Sequence, residues 1–159
     1  MASITQEIVI ESSAEDVWEV IGDFAAGPSR MAPGFVTGTQ VEADCRVVAF
    51  ADGTVVRERR VSVDHSTRRI VYAVVDGNVR PDHDNASMQV VADGERRCRL
   101  VWIRDVLPDE LAAPMTEAMT YGLGVIKRTL DSGGHGTPTR PCAPDPRRDA
   151  GSARISCTK

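Results

Sequence analysis

A carboxylate between two arginines, Arg57-Glu58-Arg59, and a histidine between two carboxylates, Asp82-His83-Asp84, are the groups in this sequence best equipped to move a proton. A histidine oriented by a carboxylate can serve as a general base, and a carboxylate enclosed by apolar walls can serve as acid or base. Each also has a plainer reading. His83 lies in a stretch rich in Pro, Asp and Asn that reads as a solvated loop, and Glu58 fits an exposed cross-strand ion pair worth about 0.2–1 kcal/mol. Tyr72 adds a phenol able to orient a ligand or pass a proton. Metal chemistry is not expected, because the remaining histidines, His65 and His135, fall in a turn and in the C-terminal tail and give no third ligand. Cys45, Cys98, Cys142 and Cys157 form no C-x-x-C pair, and no Gly-rich phosphate loop or Gly-x-Ser-x-Gly elbow occurs. No cofactor is expected.

The elements that must carry these groups are legible in the apolar spacing. Ile4, Gln6, Ile8 and Ile10 alternate with Thr5, Glu7 and Val9 as in a half-buried first strand. Ser12 and Ser13 precede Glu15 and Asp16 at the spacing of a helix cap, and Val17, Val20, Ile21 and Phe24 give the short helix an apolar face. Gly27-Pro28 and Pro33-Gly34 are read as breaks. Six further strands are expected over Phe35–Glu42, Arg46–Ala51, Thr54–Val63, Arg69–Asp76, Ala86–Ala92 and Arg97–Val106. Asp52-Gly53 and Asp93-Gly94 favour hairpin reversals, hence an antiparallel meander. After Pro108, the apolar series Leu111, Met115, Met119, Gly122, Ile126, Leu130 marks one face of a helix over Asp109–Leu130, whose first turn Pro114 limits or kinks. The class is α+β: a curved seven-stranded antiparallel sheet around a long C-terminal helix, with a cavity between them.

On this layout the parity of Val55, Val61 and Val63 turns Glu58 outward unless a bulge shifts the strand. Tyr72, Met88, Trp102, Met115 and Met119 are the residues expected on the cavity wall, although core packing alone accounts for any one of them. The chain has 159 residues, net charge −4 and no apolar run long enough for a membrane span, which disfavours nucleic acid as a partner and integral membrane association. Residues 132–159 hold four Pro, four Gly, five basic side chains and one large aliphatic, Ile155, and are expected to form a disordered tail after a single domain at 1–131. Cysteine usage and the absence of a signal-peptide pattern fit a cytoplasmic protein.

Five segments carry a family resemblance: Ala14-Glu15-Asp16-Val17-Trp18, Asp52 through Arg59 (DGTVVRER), Arg69-Ile70-Val71-Tyr72, Leu100-Val101-Trp102, and Gly122-x-x-x-Ile126-Lys127. Together they resemble the polyketide cyclase/dehydrase and lipid-transport group of the START-like (SRPBCC, Bet v 1-like) superfamily, and within it the bacterial relatives of plant abscisic-acid receptors. The resemblance implies a helix-grip fold with a ligand cavity. It also places Glu58 at a pocket-lining glutamate and Arg46 at an arginine common in the family, able to meet an anionic ligand. The receptors' ligand-anchoring lysine aligns with Thr37, their gate loop with the short turn Ala51–Thr54, and their latch with Val79-Arg80-Pro81, which lacks the histidine. Two readings follow: binding of a small hydrophobic or amphipathic molecule by a carrier or sensor, or a polyketide cyclase/dehydratase in which Glu58, Tyr72 or His83 moves a proton. A groove taking a partner segment is a third. Oligomeric state is open.

Overall fold

The computed structural model describes residues 1–131; the tail expected over 132–159 lies outside the described residues. The elements run β1 (Ala2–Ile10), α1 (Ala14–Ile21), α2 (Gly27–Met31), β2 (Val36–Glu42), β3 (Cys45–Phe50), β4 (Val55–Asp64), β5 (Arg69–Gly77), β6 (His83–Ala92), β7 (Cys98–Leu107), a 3-10 turn (Asp109–Leu111) and α3 (Ala112–Asp131). Seven strands form one antiparallel sheet in the order β1-β7-β6-β5-β4-β3-β2, the α+β helix-grip layout expected from the strand texture.

Three local readings change. Gly27-Pro28 opens a helix instead of breaking one, because Pro at a first helical position loses no hydrogen bond and has its φ already set. Strand β6 begins at His83, three residues before the apolar run, so Asp82-His83-Asp84 is mostly strand and not loop. Pro114 sits in the first turn of α3, where its missing N–H would have found no helical partner in any case.

Helix α3 is clipped along the sheet edge by side chains at both ends. Gln6 Nε2 donates to the Thr116 carbonyl and to Thr120 Oγ1, Lys127 Nζ donates to the Val9 carbonyl, and Asp131 accepts from the Glu11 amide. The buried residues of α3 begin only at Met119 and continue through Gly122, Leu123, Val125, Ile126 and Leu130. Its C-terminal half therefore seals the core, while its first turns stand over open space. Gly122 permits a close approach of α3 to the Phe35 ring, which a Cβ there would meet at 3.0 Å. The inner sheet face contributes Val48, Ile70, Tyr72, Met88, Val90 and Leu100 to the core.

Candidate functional site

Strand β4 turns Val56 and Glu58 inward and leaves Val55 and Val61 38% and 54% exposed. Val61 is the extra residue of a bulge, since Arg60 pairs with Tyr72 and Ser62 with Val71. The inward parity switches there, which is why Val63 packs on the core while Glu58, on the other parity, also faces in. A second irregularity skips Val75 of β5, between the pairs Arg57–Asp76 and Glu58–Val74. Gly77, at φ 136°, completes it; a Cβ would collide with the Val55 carbonyl oxygen, so the two strands approach there only because the residue is glycine.

Arg46 of β3 stands opposite Glu58 in the ladder. Its Nε donates to Glu58 Oε2 at 2.7 Å, its Nη1 donates to the Phe24 carbonyl at 2.9 Å, and its guanidinium lies 4.5 Å and 5.0 Å from the ring centres of Phe24 and Tyr72. These two charged side chains are only 4% and 7% exposed. An ion removed from water costs several kcal/mol unless paired, so each charge is tolerable here because of the other.

A second pair lies across the sheet. The β5–β6 ladder opens after Tyr72–Ala86, and Asp84 substitutes for the lost strand partner: its Oδ1 accepts from the Val74 amide at 2.8 Å. Its Oδ2 accepts from Arg104 Nε of β7 at 2.7 Å. Burial works against the charged form of Arg104, but Asp84, Tyr72 and Glu58 together outweigh burial and hold the guanidinium pKa above its ordinary value. Tyr72 lies between the two pairs. Burial, and then the negative charge of Glu58, push its phenol well above the ordinary tyrosine range, so it remains a hydrogen-bond donor near neutral pH. No hydrogen bond to its hydroxyl forms among the described residues.

These groups face a two-lobed cavity beneath the first turns of α3. The inner lobe, about 90 Å³, is walled by Met31, Val48, Tyr72, Trp102, Met119 and Ile126, with Arg46 at its side. The outer lobe, about 250 Å³, is bounded by Asp52, Thr54, Val79, Leu111 and Pro114. Glu58, Arg104, Phe35, Phe50, Met115 and Ala118 line both, so the polar groups stand where the lobes meet. Asn78 holds the rim together, accepting from the Val55 amide and donating to the Gly53 carbonyl, which ties the Asp52-Gly53 turn to the β5–β6 loop.

Of the residues singled out in the sequence, Arg46, Glu58, Tyr72, Trp102, Met115 and Met119 come together on this cavity. Met88 does not; it is 1% exposed, packed in the core between its cross-strand neighbours Ile70 and Trp102, and absent from both linings. His83 is exposed at the start of β6 and is also absent from both linings, and its inward-facing neighbour is Asp84. Thr37 is exposed on the edge strand, its hydroxyl donating to the Ala49 carbonyl, away from the ligand-anchor position that alignment gave it. Trp18, whose ring is buried in the core, also donates from Nε1 to His65 Nδ1 at 3.1 Å. Arg104, Asp84, Phe35, Phe50 and Asn78 were missed. Arg104 had a signal, since it shares the face of Leu100, Trp102 and Val106 at strand spacing. Trp102 Nε1 is enclosed with no partner among the described residues.

A curved sheet gripping a helix over a cavity with a polar waist defines a ligand-binding helix-grip domain. The chain belongs to the polyketide cyclase / dehydrase and lipid transport family, whose model matches residues 1–132. The fold is similar to that of a putative uncharacterized protein from Bacillus thuringiensis, at TM-score 0.73 and 20% identity over 81% of this chain and 98% of that one. It is similar to a START superfamily protein from Mycobacterium smegmatis, at TM-score 0.63 and 14% identity over 83% and 96%. It is also similar to norcoclaurine synthase from Thalictrum flavum in complex with dopamine and hydroxybenzaldehyde, at TM-score 0.63 and 18% identity over 86% and 88%. None of the curated proteins matches this sequence. Among the described residues no helix is long and apolar enough to cross a membrane, and no group of three or more His, Cys, Asp or Glu side chains is placed to hold a metal ion.

Proposed function

We propose that this protein is a cytoplasmic carrier or sensor that binds a small hydrophobic or amphipathic molecule in the cavity beneath α3. The observation that carries the reading is the two-lobed cavity, with apolar walls, Glu58 and Arg104 at its waist and Tyr72 on its inner lobe. Apolar walls supply affinity and a few directed polar groups supply orientation, as in most small-molecule sites. Kinship to the bacterial relatives of abscisic-acid receptors forms part of this reading as a binding role; the receptors' acidic ligand does not, since the anchoring lysine is replaced by the outward-facing Thr37.

The convergence of Glu58 and Tyr72 on the inner lobe favours a second reading, a polyketide cyclase or dehydratase using the same cavity. Binding is preferred because Glu58 Oε2 is already engaged by Arg46 and burial keeps the Tyr72 phenol protonated, which leaves the phenol a donor and not a base. The test is native mass spectrometry of the protein purified from its own host, with titration of the neutral dye N-phenyl-1-naphthylamine. A retained small molecule and dye fluorescence are expected, and both should be lost in Ala118→Trp, because Ala118 borders both lobes. Undiminished binding in that folded variant, or no binding to the natural sequence, rejects the cavity as the site.

A further inference from the structure

The cavity contains two guanidiniums, yet it offers no unmatched positive charge. Arg46 is paired with Glu58 at 2.7 Å and Arg104 with Asp84 at 2.7 Å. The Arg46 guanidinium is further committed to the Phe24 carbonyl, and Asp84 to the Val74 amide, so neither pair can open toward a ligand without leaving a buried group unsatisfied. The remaining charged group on the lining is Asp52 at the outer rim, which adds a negative charge. A carboxylate entering the cavity would lose its hydration and meet no free cation. A cation would gain nothing at the waist, where each carboxylate already holds its arginine.

What the waist does offer is neutral complementarity. Beside it on the inner lobe, the Tyr72 hydroxyl is a donor with no partner among the described residues, and Glu58 at the waist meets Arg46 only through Oε2. Arg104 lines both lobes and uses Nε for Asp84, which leaves its two Nη groups as donors. A ligand hydroxyl placed between Glu58 and Arg104 can donate to the first and accept from the second, with apolar portions extending into each lobe.

We propose that the paired arginines make this a site selective for uncharged, hydroxyl-bearing apolar molecules, and that Glu58 and Asp84 determine that selectivity by cancelling the charge of Arg46 and Arg104. The proposal rests on the cavity being a ligand site. Three probes of one skeleton test it: 2-naphthol, 2-naphthoate and 2-methylnaphthalene, titrated calorimetrically at neutral pH and low salt. The natural sequence should bind 2-naphthol tightest, and 2-naphthoate weaker by about tenfold or more. In Glu58→Gln, and separately in Asp84→Asn, one arginine loses its counter-charge, so 2-naphthoate should gain about fivefold or more over 2-naphthol relative to the natural sequence. Asp84→Asn keeps an oxygen for the Val74 amide, so it provides a second route should Glu58→Gln fail to fold. If 2-naphthoate binds the natural sequence as tightly as 2-naphthol, or if a folded variant leaves the ratio unchanged, selectivity does not come from these pairs. If 2-methylnaphthalene binds as tightly as 2-naphthol while 2-naphthoate is weak, the hydroxyl preference is wrong. If none of the three binds, the ligand-site reading itself falls.

Discussion

Replacing Arg46 with Met should destabilise the protein far more than replacing Arg46 and Glu58 together. With Arg46 gone, the Glu58 carboxylate remains on a wall where it is 7% exposed, and Oε2 loses a 2.7 Å charged hydrogen bond. Stranding one partner of a buried pair costs about 3–5 kcal/mol, against a total stability of about 5–15 kcal/mol for an ordinary domain. Contact between Glu58 and the cavity lets some water reach it, which favours the lower end, about 3 kcal/mol. In Arg46→Met with Glu58→Leu no charge is stranded. The new side chains face Phe24, Tyr72 and Val48, and the chief loss is the donor to the Phe24 carbonyl, about 1–2 kcal/mol. Urea unfolding of the natural sequence, both single variants and the double variant, with unchanged m-values, measures the coupling. With about 3 kcal/mol for each stranded charge against about 1–2 kcal/mol for the double variant, it should reach about 4–5 kcal/mol and change little between low and high salt, because the pair is shielded from screening. Additive single effects, or a coupling that disappears in salt, would show that the pair is solvated and would remove the charge-matched waist.

Trp102→Phe deletes an enclosed N–H that has no partner while keeping most of the ring, and leaving such a donor unpaired costs about 1–3 kcal/mol. The variant should be as stable as the natural sequence or more so in thermal unfolding; a loss above about 2 kcal/mol would mean that the indole nitrogen is satisfied. Burial pushes the Cys98 thiol from 9.0 up to about 11 and the Tyr72 phenol above its ordinary 10.0. Both contribute stability that is complete below pH 9 and is lost as the unfolded chain ionises first, so unfolding free energy should fall as pH rises through 9 and again past 10. Cys98→Ala should remove the first part of that fall, and a flat profile from pH 8 to 11 would contradict the burial of both groups.

The strand count, their antiparallel order and the apolar face of α3 were legible because each rests on local periodicity or turn chemistry that no distant contact overrides. Asp52-Gly53 reads as a turn and is one, with Gly53 at φ 89°. The facing of Glu58 was harder to read, because the valine spacing pointed outward and the family alignment inward. The deciding feature, the bulge at Val61, exists only in how β4 pairs with β5. His83 drew attention through its acidic neighbours, yet a carboxylate adjacent along a strand points to the opposite face, so Asp84 took the interior and His83 the solvent. Asp84 was passed over because what makes it necessary, the unpaired Val74 amide, belongs to a different strand.

The polar waist and the irregularities of the sheet have a common origin. Regular pairing would continue the β5–β6 ladder past Tyr72 and leave the Val74 amide no need of a side chain; because it stops there, Asp84 turns inward to accept that hydrogen bond and then holds Arg104. Without the register change at Val61, the parity of Val63 would carry back along β4 and put Arg57 and Arg59, not Glu58, on the inner face opposite β3. A self-neutralised pair would then give way to buried arginines lacking a counter-charge, a far more costly wall and one suited to anions. Charge preference in this cavity therefore depends on strand register as well as on residue identity. Deleting Val61 removes the extra residue, so Glu58 and Val63 then share the inward parity of a regular strand, and the folded deletion variant should keep its preference for 2-naphthol over 2-naphthoate. A shift toward 2-naphthoate in that folded variant would show that Glu58 had left the inner face although its pairing with Val74 was kept, and would refute the link between register and charge preference.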